Sequence, residues 1–187
     1  MLRTNFKFWR RAFLAVAISA QSQVFAANSD SGSEYPFVFH LIQAALWDEA
    51  VAADKTYFPP TYRQDGFTHG TANPDKLLTV ANHFYQQTEG DWYCLRMTTE
   101  SLRASGVTVV FESTAPVGDQ QPDFEGSEDE LYPHIMCGIS MGAVLEVLTV
   151  ERGEAGEFLR IQGLYPGEET GWRHADPNFS LAKMECI

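Results

Sequence analysis

The chain has 187 residues with 13 Lys and Arg against 25 Asp and Glu, which gives a formal net charge of −12 at pH 7. An acidic surface repels phosphate backbones, so this charge argues against sequence-independent binding of nucleic acid. It does not exclude a small anionic ligand held in a local pocket. A chain of this length can hold a single domain with a short leader before it.

Residues 1–26 have the pattern of a cleaved secretory signal. Four basic residues precede the apolar run 12–20, and Val24-Phe25-Ala26 offers small residues at the two positions that signal peptidase recognises. The apolar run is too short to cross a bilayer of about 30 Å, which makes an uncleaved anchor the less favoured alternative. We therefore expect an exported, periplasmic or secreted protein with no integral membrane segment after cleavage.

Removal of the signal leaves 161 residues, the size of one domain. The signal holds four basic and no acidic residues, so nine basic and 25 acidic residues remain and the net charge becomes −16. We expect a flexible leader at 27–35, a single domain at 36–162 and a C-terminal tail at 163–187. The acidic loop 113–129 is long for a connection without secondary structure, and it is either a mobile lid or a surface decoration.

The first half of the domain is predicted to contain two helices. A buried strand at 36–42 precedes a short helix at 44–53, in which Trp47, Ala50 and Val51 share one face. A loop follows at 57–64, and 66–71 forms a short strand or turn. The second helix begins after Asn73, which caps it, and ends near Gly90.

The second half of the domain is predicted to consist mostly of strands. The candidates are 92–98, 107–112, 131–135, 143–151 and 157–162. Early helices followed by late strands indicate an α+β domain with a bent or split, mainly antiparallel sheet.

Three histidines on or beside predicted strands, His40, His69 and His134, suggest one polar pocket built from distant parts of the chain. Imidazole titrates near neutral pH and can donate or accept a hydrogen bond, which suits ligand positioning or acid/base chemistry. Taken singly, His40 is better explained as a core histidine bonded to the backbone. His69 is more suggestive of function, with a chance turn residue as its alternative, and the alternative for His134 is a surface residue at a strand edge. Three imidazoles could also present a face to zinc, but no two of them share a close metal-ligand spacing, so we favour a pocket without metal.

The segment around His69 adds further candidates. Gly66 permits a tight turn, Phe67 supplies a stacking face, and Thr71 supplies a hydroxyl. A separate motif, Gly138-Ile139-Ser140-Met141-Gly142, matches a nucleophile elbow. An elbow needs a helix after the serine, and the following residues predict a strand, so a serine hydrolase that uses Ser140 is a minor alternative.

Three cysteines, Cys94, Cys137 and Cys186, allow one disulfide in an oxidising compartment and leave one thiol. All three pairings are open. Cys94 lies within a predicted strand and is most simply a buried thiol, so we favour a bridge between Cys137 and Cys186.

Short segments in a fixed order resemble the bacterial family called domain of unknown function 952, over roughly 37–150. They are Phe39-His40, Trp47, Pro59-Pro60-Thr61, Asp65-Gly66-Phe67-Thr68-His69, Val80-Ala81-Asn82-His83-Phe84-Tyr85, Leu95-Arg96-Met97, Phe111-Glu112, Tyr132-Pro133-His134-Ile135 and Ala143-Val144. The resemblance implies a fold similar to that of the ADP-ribosyltransferases. The order His40, Trp47, Gly66, His69 and Thr71 also resembles NAD-using RNA 2′-phosphotransferases.

These resemblances imply a cleft for nicotinamide or a nucleotide, with NAD as the candidate cofactor. The candidate catalytic residues are His40, His69, His134 and Glu112, and the candidate ligand-binding residues are Thr61, Gly66, Phe67 and Thr71. The chain departs from the family after Ile135, where Met136, Cys137 and Gly138 replace its usual aromatic. No arginine set for RNA is found. The two leading hypotheses are an ADP-ribosyltransferase-like enzyme and a non-catalytic module that binds a small ligand.

Overall fold

The structure, a computed structural model, describes residues 35–165. The predicted signal peptide, nearly all of the leader and all but three residues of the tail lie outside the described residues. The α-helices are α1 (Ala44–Ala52), α2 (Tyr62–Asp65), α3 (Leu77–Tyr85) and α4 (Thr99–Ala104). The strands are β1 (Val38–Gln43), β2 (Thr68–His69), β3 (Trp92–Met97), β4 (Val109–Glu112), β5 (Tyr132–Ile135), β6 (Glu146–Arg152) and β7 (Phe158–Ile161). Two 3-10 helices, Pro74–Lys76 and Met141–Ala143, complete the elements.

The described strands form two sheets, one in the order β1-β3-β6-β7 and the other in the order β2-β5-β4. Every strand pair in both sheets is antiparallel. The predicted mixture of helices with split antiparallel sheets is therefore confirmed. Both helices expected near the N-terminal half are present, as α1 and α3, and the short helices α2 and α4 are additional.

The two sheets meet where β1 passes the chain just after β2. The backbone of Phe39 exchanges two hydrogen bonds with Thr71, of 2.8 and 2.9 Å. The N–H of Gly70 also donates to the carbonyl oxygen of Pro133 on β5, at 2.9 Å. These bonds bring the two edge strands together along a line of contact between the sheets, which we call the seam.

The apolar residues of β1 divide between two core clusters. Val38 and Ile42 belong to the first cluster, whereas Phe39 and Leu41 belong to the second. Side chains alternate along a strand, so β1 is covered on both faces, which explains its unbroken apolar run. His40 shares the face of Val38 and Ile42 and interrupts that row with a polar ring.

Helices α1 and α3 lie close to their predicted positions. In α1, Trp47 is buried, whereas Val51, one turn later on the same face, is 41% exposed, so that face is only partly covered. Asn73 accepts a hydrogen bond from the N–H of Asp75, as a cap should, although the first turn is 3-10.

Helix α3 ends at Tyr85 instead of near Gly90. Beyond its end, Arg152 donates to the carbonyl oxygens of Gln86, Thr88 and Gly90 at 2.9, 2.6 and 3.0 Å. These carbonyl groups are therefore satisfied without further helical turns.

Two short helices were not predicted. Helix α2 lies where a loop at 57–64 was expected. Helix α4 begins with a capping box in which Thr98 and Ser101 bond each other's backbone N–H groups. Serine takes the place that Glu or Gln usually holds in such a box, so the sequence signal was weak.

Two of the three cysteines lie within the described residues. Cys94 is a buried free thiol, and Cys137 is disulfide-bonded. Cys186, its expected partner, lies outside the described residues. No helix within residues 35–165 has both the length and the apolar character needed to cross a membrane.

Candidate functional site

The three predicted histidines line one small pocket at the seam. Strands β2 and β5 pair His69 directly with His134, and their ring centroids are 6.1 Å apart. His40 approaches from β1 in the other sheet, where its Nδ1 lies 2.7 Å from the backbone oxygen of His69. The seam therefore gathers groups that are separated by 94 residues of sequence from His40 to His134.

His40 is held in one tautomer. The carbonyl oxygen of His69 can only accept, so Nδ1 of His40 carries the proton and donates it. Its Nε2 is then an acceptor, and this buried atom has no hydrogen-bond partner among residues 35–165. Burial lowers the pKa of His40 to about 4, because desolvation disfavours the charged ring, and the bond to His69 opposes this only in part.

His134 has the same arrangement. Its Nδ1 lies 3.1 Å from a carboxylate oxygen of Glu112, a side chain that is 61% exposed. Its Nε2 is buried and lacks a partner within the described part of the chain. Phe67 stacks on the imidazole with centroids 3.9 Å apart and planes inclined by 17°. Burial lowers the pKa of His134, and Glu112 acts in the opposite direction.

His69 is oriented by a buried carboxylate. Its Nε2 donates to Asp65 at 3.0 Å, and the Asp65 side chain is only 4% exposed. Gly66, with a φ of 83°, ends α2 in the left-handed conformation between these two residues. Burial lowers the pKa of His69, while the bond to Asp65 raises it and the nearby His134 lowers it.

Tyr132 supplies a further polar group to the same pocket. The residue is 5% exposed, and its hydroxyl makes no hydrogen bond to any described residue. Burial raises the pKa of Tyr132 to about 12, with Glu130 and Asp129 acting in the same direction. The residues that line the pocket therefore include two neutral imidazoles with an unpaired acceptor and one protonated phenol.

The acidic loop 113–129 forms one wall of the pocket. Four of its residues line it: Thr114, Ala115, Val117 and Phe124. The N–H of Gly118 donates to both oxygens of Asp65, at 3.1 and 3.3 Å. His83 donates from Nε2 to the carbonyl oxygen of Gln121 at 2.7 Å. The loop is thus tied to the histidine site through the same carboxylate that orients His69.

A second, larger hollow of about 350 Å³ adjoins the pocket. Both are lined by His40, Leu41, Phe84, Tyr85 and Val117. The larger hollow is otherwise lined mainly by aromatic, aliphatic and proline side chains, among them Leu46, Tyr57, Pro59, Pro60 and Trp92. A hollow of this size falls within the range that holds small molecules.

The family model described as "Protein of unknown function (DUF952)" matches residues 41–147, more than half of the chain. The chain belongs to this family. Its described fold is similar to the crystal structure of protein CC0527 from Caulobacter crescentus, with a TM-score of 0.50 and 16% identity over 66% of this chain and 93% of that one. A double mutant of that protein matches equally, at 15% identity. At such identity the likeness concerns the fold alone. Comparison with curated proteins gives no match.

In this DUF952 protein, the residues predicted for the site fall into three groups. His40, His69, His134 and Thr71 line the small pocket. Thr61 lines the larger hollow. The others support the pocket from outside its lining: Glu112 and Phe67 contact His134, and Gly66 is exposed at the end of α2.

Two residues of the DUF952 site had no predicted role, although the sequence held a signal for each. Asp65 stands four residues before His69, and a single turn of the chain between them can bring the two side chains into contact. Tyr132 stands two residues before His134, and alternate residues of a strand share one face.

Ser140 of this DUF952 protein is not placed as a nucleophile elbow would place it. Only the three-residue 3-10 helix Met141–Ala143 follows it, and the serine lines neither of the two hollows. Its Oγ is buried without a partner in the described region. Within residues 35–165, no group of three or more His, Cys, Asp or Glu side chains is arranged to hold a metal ion.

Proposed function

We propose that this protein binds a small ligand that carries hydroxyl groups, of the nucleoside or nucleotide class, in the pocket at the seam. One observation carries the proposal. Three residues that line one pocket each carry a buried polar atom without a partner among residues 35–165: Nε2 of His40, Nε2 of His134 and the hydroxyl of Tyr132. A buried polar group left unpaired costs about 1–3 kcal/mol, so a ligand that pairs all three gains affinity from each.

The protonation states select the kind of ligand. A neutral imidazole whose Nδ1–H is already engaged can only accept at Nε2, so it needs a donor from the ligand. Neighbouring hydroxyls, such as the 2′ and 3′ hydroxyls of ribose, provide two donors at close spacing. The Tyr132 hydroxyl can donate or accept and would complete the set.

The resemblance to ADP-ribosyltransferases supports a ligand that contains ribose, and NAD is one candidate. We propose an ADP-ribosyltransferase-like fold for the domain. Two antiparallel sheets that meet at a seam lined by a pocket are compatible with that proposal. The DUF952 match supports the family resemblance from which the fold was inferred.

Binding is better supported than turnover. Neither hollow is lined by an acidic side chain among the described residues. The carboxylate of Asp65 is engaged by His69 and Gly118, and that of Glu112 is bonded to His134 and largely exposed to solvent. We therefore favour the binding module over a transferase that uses Glu112, and over a hydrolase that uses Ser140.

Isothermal titration with adenosine, NAD and ADP-ribose, and with inorganic phosphate as the anion control, tests the proposal. A ligand at one hundred times its Kd should also stabilise the fold by about 2.7 kcal/mol. Tyr132→Phe removes a single hydroxyl from the pocket and should weaken binding by about 0.5–1.5 kcal/mol, or several-fold in Kd. Tyr62→Phe is the matched control, because Tyr62 lines neither hollow.

Several outcomes bear on this proposal separately. If no compound with a ribose group binds, the proposed function is wrong. If NAD binds and free nicotinamide then accumulates, the transferase hypothesis replaces the binding module.

We also propose that the protein is exported, on the strength of the signal pattern at residues 1–26. N-terminal sequencing of the protein from the periplasm or culture medium should begin at Ala27. A cytoplasmic protein that retains Met1 would contradict export.

A further inference from the structure

We infer that the ligand is an uncharged nucleoside that spans both hollows, with its ribose among the histidines and its flat base in the larger hollow. This inference rests on the proposed function and narrows it. It assigns a second subsite, lined by Tyr57, Pro59, Trp92 and Thr61, and it prefers a nucleoside to a nucleotide or a dinucleotide.

The two hollows share part of their lining. His40, Leu41, Phe84, Tyr85 and Val117 line both of them. The small pocket measures about 30 Å³ and the larger hollow about 350 Å³, so a ligand that reaches the histidines needs the larger hollow to hold a further ring. Because His40 lines both hollows, a ligand that contacts its ring also lies beside the second hollow.

The two hollows differ in polarity. The larger one presents the rings of Tyr57, Tyr85 and Trp92 together with two prolines, which are suited to stacking on a flat ring. The indole N–H of Trp92 is buried without a partner in the described chain, and Trp92 is 4% exposed. Indole only donates, so it complements a ring nitrogen or carbonyl oxygen of a base.

The charge around the two hollows disfavours a phosphorylated ligand. Neither hollow is lined by a Lys or Arg among residues 35–165. Arg96 is paired with Glu146, and Arg152 is bonded to carbonyl groups beyond α3, so these two cations are committed elsewhere. The chain as a whole carries a net charge of −12. A phosphate would enter this cleft without a counter-charge, which disfavours phosphorylated ligands.

Isothermal titration should compare adenosine, guanosine, cytidine and uridine, each with its own 5′-monophosphate, and should include D-ribose and NAD. We expect at least one nucleoside to bind at least tenfold more tightly than its monophosphate, than NAD and than D-ribose. If a monophosphate or NAD binds more tightly than every nucleoside, the preference for an uncharged ligand is wrong. If D-ribose binds as tightly as the best nucleoside, the larger hollow does not bind the base.

These failures differ from failure of the proposed function. If ribose or NAD binds without any preference for a nucleoside, only this inference is lost. If none of the compounds binds, the proposed function and the inference are both lost.

A space-filling variant tests where the base lies. Thr61 is half-buried at the edge of the larger hollow, and its side chain makes no capping bond to α2. Thr61→Trp should fill the hollow and lower the affinity for the best nucleoside at least tenfold, with D-ribose binding unchanged. Tyr62→Trp is the control, because it adds a large ring at a neighbouring residue that lines neither hollow.

If Thr61→Trp fails to fold, Pro60→Trp is a second variant that should fill the same hollow. Pro60 lines that hollow and is exposed. Thermal unfolding of each variant establishes that it is folded before titration. Nucleoside binding that is unchanged in a folded, filled variant would place the base elsewhere and contradict the inference.

Discussion

His40 and His69 belong to different sheets, yet the Nδ1–H of His40 donates a hydrogen bond of 2.7 Å to the backbone oxygen of His69. This bond has two consequences. It joins the sheets at the seam, beside the backbone bonds between Phe39 and Thr71. It also fixes the tautomer of His40, which leaves Nε2 as an acceptor. Structure and ligand chemistry therefore depend on the same imidazole.

Replacement of His40 by Phe should lower both the stability of the fold and the affinity for the ligand. Phe keeps a ring of similar size but leaves the carbonyl oxygen of His69 without its partner. We expect a loss of about 1–3 kcal/mol in the free energy of unfolding, measured by urea denaturation at pH 7.5. Ligand affinity should fall as well, in a titration carried out where the variant is folded. A variant as stable as wild type would show that the bond between the sheets contributes nothing.

The stability of the protein should increase with pH between about 4 and 6.5. The folded pKa of His40 is lowered to about 4 from 6.5, so in this range the unfolded chain binds a proton that the folded protein does not. Stability is therefore complete above pH 6.5 and is lost as the pH falls towards 4, by up to about 3 kcal/mol for this group. His69 and His134 have pKa values shifted in the same direction and add to the slope.

Urea denaturation of the wild type and of His40→Phe at several pH values isolates the contribution of His40. Carboxylates titrate in the same range, so the informative quantity is the difference between the two curves. The variant should show a shallower dependence on pH. Parallel curves would mean that His40 is not protonated differently in the folded and unfolded states.

Asp65 should hold both His69 and the acidic loop in place. Asp65→Asn removes the charge that raises the pKa of His69, so this pKa should fall further, as followed by NMR titration of the imidazole. The bond from the N–H of Gly118 to Asp65 should weaken, and amide exchange in the loop 113–129 should become faster. Hydrogen bonds to a charged group contribute about 1.5–3 kcal/mol, which sets the expected loss of stability.

Asp119→Asn is the matched control for Asp65→Asn. Asp119 lies on the same loop and accepts one exposed hydrogen bond, from Gln64 at 2.8 Å. It should leave the His69 titration unchanged. If both variants behave alike, the loop responds to its overall charge and not to the carboxylate of Asp65.

Glu112→Gln should distinguish a positioning role from a catalytic one. The amide oxygen of Gln can still accept from Nδ1 of His134, so Nε2 stays an acceptor and ligand affinity should change little. The pKa of His134 should fall because Glu112 raises it. Since Glu112 is 61% exposed, the change in stability should be below about 1 kcal/mol. If the wild type releases nicotinamide from NAD and Glu112→Gln does not, Glu112 has a catalytic role instead.

The sequence predicted those parts of the fold that depend on local pattern. The apolar run of β1, the Asn73 cap and the late strands all depend on neighbouring residues, and their positions were predicted to within a few residues. Helix α4 was missed because its capping box uses Ser101. The end of α3 was missed because Arg152, 67 positions after Tyr85, binds the carbonyl groups beyond it.

The sequence predicted the three histidines of the candidate site, but it did not predict the chemistry of the site. His40, His69 and His134 stood out because each follows or belongs to a strand. The tautomers, by contrast, depend on a carbonyl group in another sheet and on an exposed carboxylate from β4. The pocket wall formed by the loop 113–129 depends on its bond to Asp65. None of these long-range partners leaves a periodic signal in the sequence.

The cysteines allow a test of the disulfide expected from the sequence. Cys94 is fully buried, and burial raises its pKa to about 12, so it should not react with Ellman's reagent in the native protein. Cys137 is disulfide-bonded. If Cys186 is its partner, the denatured but unreduced chain should release one thiol, and the reduced chain should release three. Cys94→Ala should reduce the first value to zero. Two or more thiols in the denatured, unreduced wild type would show that Cys137 and Cys186 are not joined.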